Sequence, residues 1–201
     1  LELTDFGDGR LELGAMNGGE IADRAAVVNA IRTLAKEHHV RYAHIALSES
    51  RSYLFEADVP GTKKSEWRAA VEAHIDEYVP LPPAETLFDI APTDTKGELT
   101  HVVGIAYANR LIDESLSVLD EAKVGVSAVE SETFSLPRAL LPVGDTDTVL
   151  IIDLGRTTTK LVIVEKRIPR FATTLDIGGH ALTLAVQKYF NVTEEEAKRV
   201  K

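Results

Sequence analysis

The chain has 201 residues, enough for one or two domains with a sizeable core. Acidic residues outnumber basic ones 32 to 22, a formal net charge of -10, which argues against non-specific binding to nucleic acid or anionic membrane. There is no cysteine, so disulfides and thiolate metal sites are excluded and a reducing compartment is compatible; no apolar run approaches a membrane span.

The opening residues, LELTDF, show no signal-peptide pattern and read as a strand already under way, without an initiator methionine. The last, TEEEAKRVK, read as a helix barely begun, so the sequence is expected to be a piece of a longer protein. Residues 1–15 are expected to form a hairpin turning at Asp8-Gly9, a dipeptide that tolerates positive φ. Asp23 is placed to cap a helix over 24–37, with Val27, Ile31 and Leu34 on one face. Strands follow over 42–47 and 53–59, the second closed by Pro60-Gly61. In KKSEWRAAVEAHIDEYV, Trp67, Val71, Ile75 and Tyr78 recur at helical spacing with Glu72, Asp76 and Glu77 opposite. PLPP at 80–83 then stops that helix.

Strands are predicted over 86–91 and 99–108, joined by the polar turn DTKGE. A helix from about 110 to 123 turns Ile112, Leu116 and Leu119 inward, and Gly125 breaks it. A short strand at 126–129 and a short helix at 132–140 lead to LPVGD at 141–145, the best candidate for a domain boundary. Beyond it lie strands over 148–153, 159–165 and 168–175. Asp176-Ile177-Gly178-Gly179 opens a helix whose buried side is expected to carry Ala181, Leu182, Ala185, Val186 and Tyr189. Thr193 and Glu196 form a capping box for a last helix, whose Glu194–Glu196 run is a charged first turn. The fold class is therefore α/β, a mixed sheet with helices against it. The strand–helix–strand–strand–helix order over 50–123 suits a small α/β insert.

The stretch with the most chemistry is VLIIDLGRTTTKLVIVEK, residues 149–166. Asp153 ends an apolar strand, where ligand groups gather in α/β sheets. A carboxylate repels a phosphate directly but holds a magnesium ion or its waters, and the ion meets the phosphate. Gly155 lets the backbone pass close to a ligand. Thr157, Thr158 and Thr159 offer N–H groups and hydroxyls. The competing reading is a β-turn with strand-forming threonines; one glycine and no following helix set the loop apart from the GxxxxGK[ST] type. Lys160 reads either as a point charge for a phosphate or carboxylate, or as an exposed lysine. Gly178 and Gly179, beside Asp176, open a helix whose start favours anions, or they simply serve a strand-to-helix turn.

The histidines do not gather. His38 and His39 end a helix, where the macrodipole favours a cation, and His44, His74, His101 and His180 stand apart, with neither HxxxH nor HExxH spacing. No GxSxG elbow is present, and Ser48 and Ser50 read as turn residues. Trp67 and Tyr78 are core residues or, with Pro80, Leu81 and Pro82, an apolar ledge for a partner.

IIDLGRTTTKLVIVEK resembles the second phosphate loop of actin-like ATPases. More closely, it resembles the type IV pilus assembly protein PilM family, related to the cell-division protein FtsA. Four further stretches fit the closer family in order: WRAAVEAHIDEYVPLPPAETLFDIAP, GIAYANRLIDESLSVLDEAKVGVSAVE, VESETFSLPRALL and TTLDIGGHALTLAVQKYFNVTEEEAKRVK. The resemblance implies an actin-like (ribonuclease H-like) fold. Residues 1–49 and 124–146 would be subdomain 1A, 50–123 an inserted subdomain 1C, and 147–201 the start of subdomain 2A. It implies ATP and Mg2+ as cofactors, with Asp153 holding the metal through water and Gly155, Thr157 and Thr158 around the β- and γ-phosphates. Thr159, Lys160, Gly178 and Gly179 complete the expected site.

The family further implies a cytoplasmic adaptor, peripheral to the inner membrane, that holds the tail of a PilN-like protein in a groove near 1A and 1C. Self-association is a further expectation; nucleic acid is not an expected partner. The alternatives are an FtsA-like protein that polymerises and tethers to membrane, a kinase of the same superfamily, and an interaction module without nucleotide. No residue stands out as a general base. The family's first phosphate loop is absent, since LTDFGDGRLEL reads as the following hairpin, and its adenine loop is expected beyond Lys201. This piece alone is therefore expected to bind nucleotide poorly. Arg156 stands where a small residue is common.

Overall fold

The structure, a computed structural model, describes residues 5–12, 14–61 and 63–200. It forms two compact units, Leu1–Ser135 and Leu136–Lys201. The first begins with an irregular stretch over 5–12 in place of the expected hairpin; residues 1–4 and 13 of that expectation lie outside the described residues. A small hairpin comes later, β1 (Met16–Asn17) and β2 (Glu20–Ile21). Its turn is Gly18-Gly19, both at positive φ, which the tight connection requires at both central positions. Asp8-Gly9 is not used this way.

Helix α1 (Arg24–Glu37) starts where expected, the Asp23 carboxylate accepting from the Ala26 N–H at 3.0 Å. Strand β3 (Tyr42–Leu47) pairs in parallel with β7 (Gly125–Ser131). Helices α1 and α4 (Asn109–Glu121) share a core with this pair, built on Val27, Val28, Val118 and Leu119.

Between these elements the chain builds a second layer. Strands β4 (Tyr53–Pro60), β5 (Thr86–Lys96) and β6 (Leu99–Ala108) form an antiparallel sheet in the order β4-β6-β5. Helices α2 (Lys64–Ala73) and α3 (Ile75–Tyr78) cover it. Phe55, Val71, Ile75, Val79, Phe88 and Ile90 make the core. Trp67 and Tyr78 belong to it: Trp67 Nε1 donates to the Gly61 carbonyl at 2.9 Å, and Tyr78 stacks on Phe55 at 5.3 Å.

The single helix expected here breaks at His74, and the two pieces bury Val71, Ile75 and Val79 together. Strand β5 runs past the expected end at Ala91, with a register shift between Pro92 and Asp94 that accommodates the proline. Although α4 falls within the expected insert, its Val118 and Leu119 pack with α1. Helix α5 (Glu132–Leu140) follows β7.

The second unit is an antiparallel meander, β8 (Thr148–Leu154), β9 (Thr159–Glu165) and β10 (Ile168–Leu175), followed by α6 (Gly179–Phe190) and α7 (Glu194–Val200). Strand alternation gives the sheet two faces. One buries Ile151, Val162 and Val164 with Val149, Ala172 and Leu141. The other leaves Leu150, Ile152, Leu154, Ile163 and Phe171 exposed. The expected buried side of α6 is also open: Leu182 and Tyr189 are exposed and Thr183 is buried instead. The helical period that marks an apolar face does not say whether a neighbour covers it. The capping box of α7 forms, with Thr193 N–H donating to Glu196 at 2.8 Å and Glu196 N–H to Thr193 Oγ1 at 3.3 Å.

Candidate functional site

The β8–β9 turn carries the predicted phosphate-loop residues. Register sets Asp153 opposite Lys160, and the lysine Nζ stands 3.5 Å from Asp153 Oδ2. Lys160 is therefore a partner for the carboxylate, with a side chain only 19% exposed. The Gly155 N–H donates to the Thr158 carbonyl at 2.9 Å and closes the turn. Arg156 and Thr157 are exposed at its tip.

The start of α6 docks onto this turn. The Gly179 N–H donates to the Gly155 carbonyl at 2.9 Å and the His180 N–H to the Arg156 carbonyl at 2.7 Å. Thr159 Oγ1 donates to the Ile177 carbonyl at 2.5 Å. At Gly178 a Cβ would stand 2.7 Å from Arg156 C and O and from the Gly155 carbonyl oxygen. Of the two roles open to these glycines, the visible one is close backbone packing, with the first helical N–H groups given to the loop.

A magnesium-bound phosphate fits what remains. A partly exposed carboxylate stands at the strand end, a lysine holds it, and hydroxyls and backbone donors sit at the turn. Among the described residues no cluster of three or more His, Cys, Asp and Glu could hold a metal. An ion here would rest on one carboxylate and waters, which suits magnesium.

Four of the six histidines sit with acids rather than with one another. His38 Nδ1 lies 2.7 Å from Asp5 Oδ2; that hydrogen bond raises the imidazole pKa and lowers that of the carboxyl. His44 meets Glu130, His74 meets Glu77, and His101 meets Asp58 and Glu56. Ser48 and Ser50 hydroxyls lie 3.0 Å apart, and the Ser50 hydroxyl donates to the Gly18 carbonyl at 3.2 Å, a turn role.

The first unit also contains an apolar groove of about 450 Å³ between the three-stranded sheet and the β3–β7 layer. Leu87, Ile105, Tyr107, Val129 and Phe134 line it, with Arg68 and Glu130 among its polar groups. The Tyr107 hydroxyl donates to the Leu47 and Ser48 carbonyls, both at 3.2 Å. Burial pushes its pKa up to about 12, so it stays a neutral donor. Sequence reading did not locate these lining residues. The available signal was TLFDIA, apolar at both parities, as in a strand covered on two faces.

This architecture has known counterparts. A solved PilM–PilN type IV pilus biogenesis complex contains a chain 27% identical, with a TM-score of 0.77 over 95% of this chain and 60% of that one. The chain thus spans less than two thirds of the length of that relative. The cytoplasmic domain of EpsL, an inner-membrane component of the type II secretion system of Vibrio cholerae, gives a TM-score of 0.56 at 14% identity, over 88% of this chain and 65% of that domain. MreB5 of Spiroplasma citri bound to ADP gives 0.51 at 15% identity, over 92% and 43%. No curated protein sequence matches the chain. The fold is accordingly a mixed α/β, actin-like one. The profile of the family described as type IV pilus assembly protein PilM matches residues 2–201. With that match over nearly its whole length, this chain belongs to the PilM family.

Proposed function

We propose that this protein is a cytoplasmic adaptor of type IV pilus assembly that holds the tail of a PilN-like inner-membrane protein and responds to bound nucleotide. The observation that carries this reading is the apolar groove beside β5, in a chain whose 27% identical relative was solved as a PilM–PilN complex. An apolar groove with a few polar groups suits a short peptide. Among the described residues no helix is long and apolar enough to cross a membrane, and the membrane-bound partner would supply the attachment.

On this reading residues 1–49 and 124–146 are subdomain 1A, 50–123 subdomain 1C and 147–201 the start of subdomain 2A. The separate core of β4, β5 and β6 supports an inserted subdomain. ATP with Mg2+ is the proposed nucleotide. Asp153 would hold the metal through water, kept in place by Lys160. Gly155, Thr157 and Thr158 would line the phosphates, while Thr159, Gly178 and Gly179 shape the turn from behind. Bound nucleotide would supply negative charge for these groups to grip, and its worth to the adaptor is a difference in affinity between two shapes of the protein.

Calorimetry tests both halves. A synthetic peptide copying the partner's cytoplasmic tail should bind, and Leu87→Asp in the groove should abolish binding. With the full-length protein, Asp153→Ala should remove the magnesium-dependent part of ATP affinity. Tail binding untouched by Leu87→Asp ends the groove assignment; nucleotide binding untouched by Asp153→Ala ends the metal assignment.

A further inference from the structure

Residues 155–158, which join β8 to β9, use their polar groups unevenly. The Gly155 N–H closes the turn onto the Thr158 carbonyl, and the Gly155 and Arg156 carbonyls accept from the start of α6. The N–H groups of Arg156, Thr157 and Thr158 donate to no acceptor among the described residues, and the hydroxyls of Thr157 and Thr158 are free in the same sense. Past the turn the donors are taken. Thr159 Oγ1 donates to the Ile177 carbonyl, and Lys160 Nζ stands 3.5 Å from Asp153 Oδ2.

Arg156 adds a charge to this set. It is exposed at the tip, and its guanidinium makes no hydrogen bond or ion pair among the described residues. The carboxylate that feels its charge is Glu194, at the start of α7, and that one is already taken: Lys198 Nζ lies 2.6 Å from Glu194 Oε1. Lys198 first, and the charges of His180 and Arg156 after it, hold the Glu194 carboxyl below its ordinary range. The two ends of the loop therefore differ. At the strand end the charges of Asp153 and Lys160 oppose each other at short range. At the tip a cation, consecutive N–H groups and two hydroxyls stand together without an acceptor. A phosphoryl group, with three acceptor oxygens and about two negative charges, can use all of them.

We infer that Arg156 is the residue by which this protein tells a nucleoside triphosphate from a diphosphate. This inference rests on the nucleotide reading above, in which the loop lines the terminal phosphates. The third phosphate is what a diphosphate lacks, and it brings negative charge to a loop that holds one uncompensated cation. Arginine suits the task, because its fork gives two parallel N–H bonds to one phosphoryl group and its charge does not titrate away. The His180 N–H holds the Arg156 carbonyl at 2.7 Å, so the backbone of the arginine is fixed to α6 while its side chain stays movable. Gripping the third phosphate then costs side-chain freedom and little else.

The test is calorimetry on the full-length protein with MgATP and MgADP, for the parent, Arg156→Ala and Arg156→Lys. Arg156→Ala should weaken MgATP by about tenfold or more and leave MgADP within about twofold. Arg156→Lys should restore part of the difference, since it keeps the charge and loses the fork. Amide exchange at His180 should match the parent in both variants, which reports that the turn stays docked on α6. An equal loss for the two nucleotides makes Arg156 a general phosphate contact and overturns the inference, while the nucleotide reading stands. Unchanged or tighter MgATP binding by Arg156→Ala overturns it as well. A parent that binds neither nucleotide overturns the nucleotide reading itself.

Discussion

Replacing Gly178 by alanine isolates one steric contact, because the residue has φ −139° and ψ −171°, an extended backbone that alanine adopts freely. Any cost must come from the new Cβ. That atom would stand 2.7 Å from three backbone atoms of Gly155 and Arg156, where carbon contacts settle near about 3.5–4 Å. None of the three is the end of a flexible side chain. Relief requires the β8–β9 turn and the start of α6 to part by about 0.8 Å or more, taking two short hydrogen bonds to about 3.5 Å or beyond. Those bonds are Gly179 N–H to Gly155 at 2.9 Å and His180 N–H to Arg156 at 2.7 Å.

Overpacking of this kind costs about 1–3 kcal/mol, and each lost bond about 1 kcal/mol. Separation trades the first for the second, so the cost is the smaller of the two, about 1–2 kcal/mol. Read as amide exchange at Gly179 and His180, that is an acceleration of about 5- to 30-fold. Trp67 lies in the other unit, against the α2–β4 core, so its fluorescence in urea is a control that should not move. Exchange within about threefold of the parent at both amides would show that turn and helix are not in contact as described.

Ile75→Ala removes a side chain only 2% exposed at the junction of α2 and α3. It should cost about 2–4 kcal/mol in urea unfolding followed by Trp67 fluorescence; a loss below about 1 kcal/mol refutes close packing there. His38 is expected to titrate above its ordinary 6.5 and Asp5 below its ordinary 3.8, because each hydrogen-bonds the other. The His38 contribution to stability is then full below pH 6.5 and is lost as pH rises through the raised value. The Asp5 contribution is full above pH 3.8 and is lost as pH falls through the lowered one. In an NMR titration Asp5→Asn should bring His38 back toward 6.5, and an unmoved His38 removes the pair from the account. Thr193→Ala breaks the capping box of α7 and should cost that helix about 1 kcal/mol, seen as faster exchange at Ala197, whose N–H donates to the Thr193 carbonyl at 2.9 Å.

Element type and order were largely legible in the sequence wherever a local cause sets them. Asp23 and the Thr193/Glu196 pair announce helix starts, and the apolar run before Asp153 announces a strand. The family resemblance came from the same kind of signal, five contiguous stretches in a fixed order. The α2–α3 break was hidden, because an unbroken helix would satisfy the same period and only the burial of Val71, Ile75 and Val79 selects the bend. The first hairpin was misplaced because Asp8-Gly9 was taken for its turn, whereas Gly18-Gly19 supplies the two positive-φ positions.

The candidate site divides in the same way. Asp153, Gly155 and Lys160 could be picked out because strand register sets them opposite or beside one another within eight residues. The role of Gly178 could not, because the atoms it must avoid belong to Gly155 and Arg156, more than twenty residues earlier. The β5 groove was also out of reach, since Leu87, Ile105 and Val129 meet only after two sheets have packed. By itself the sequence determined what is local, namely caps, strand periods and the short loop. Only the tertiary structure decided which apolar faces are covered, because that outcome depends on distances between segments that no single segment encodes.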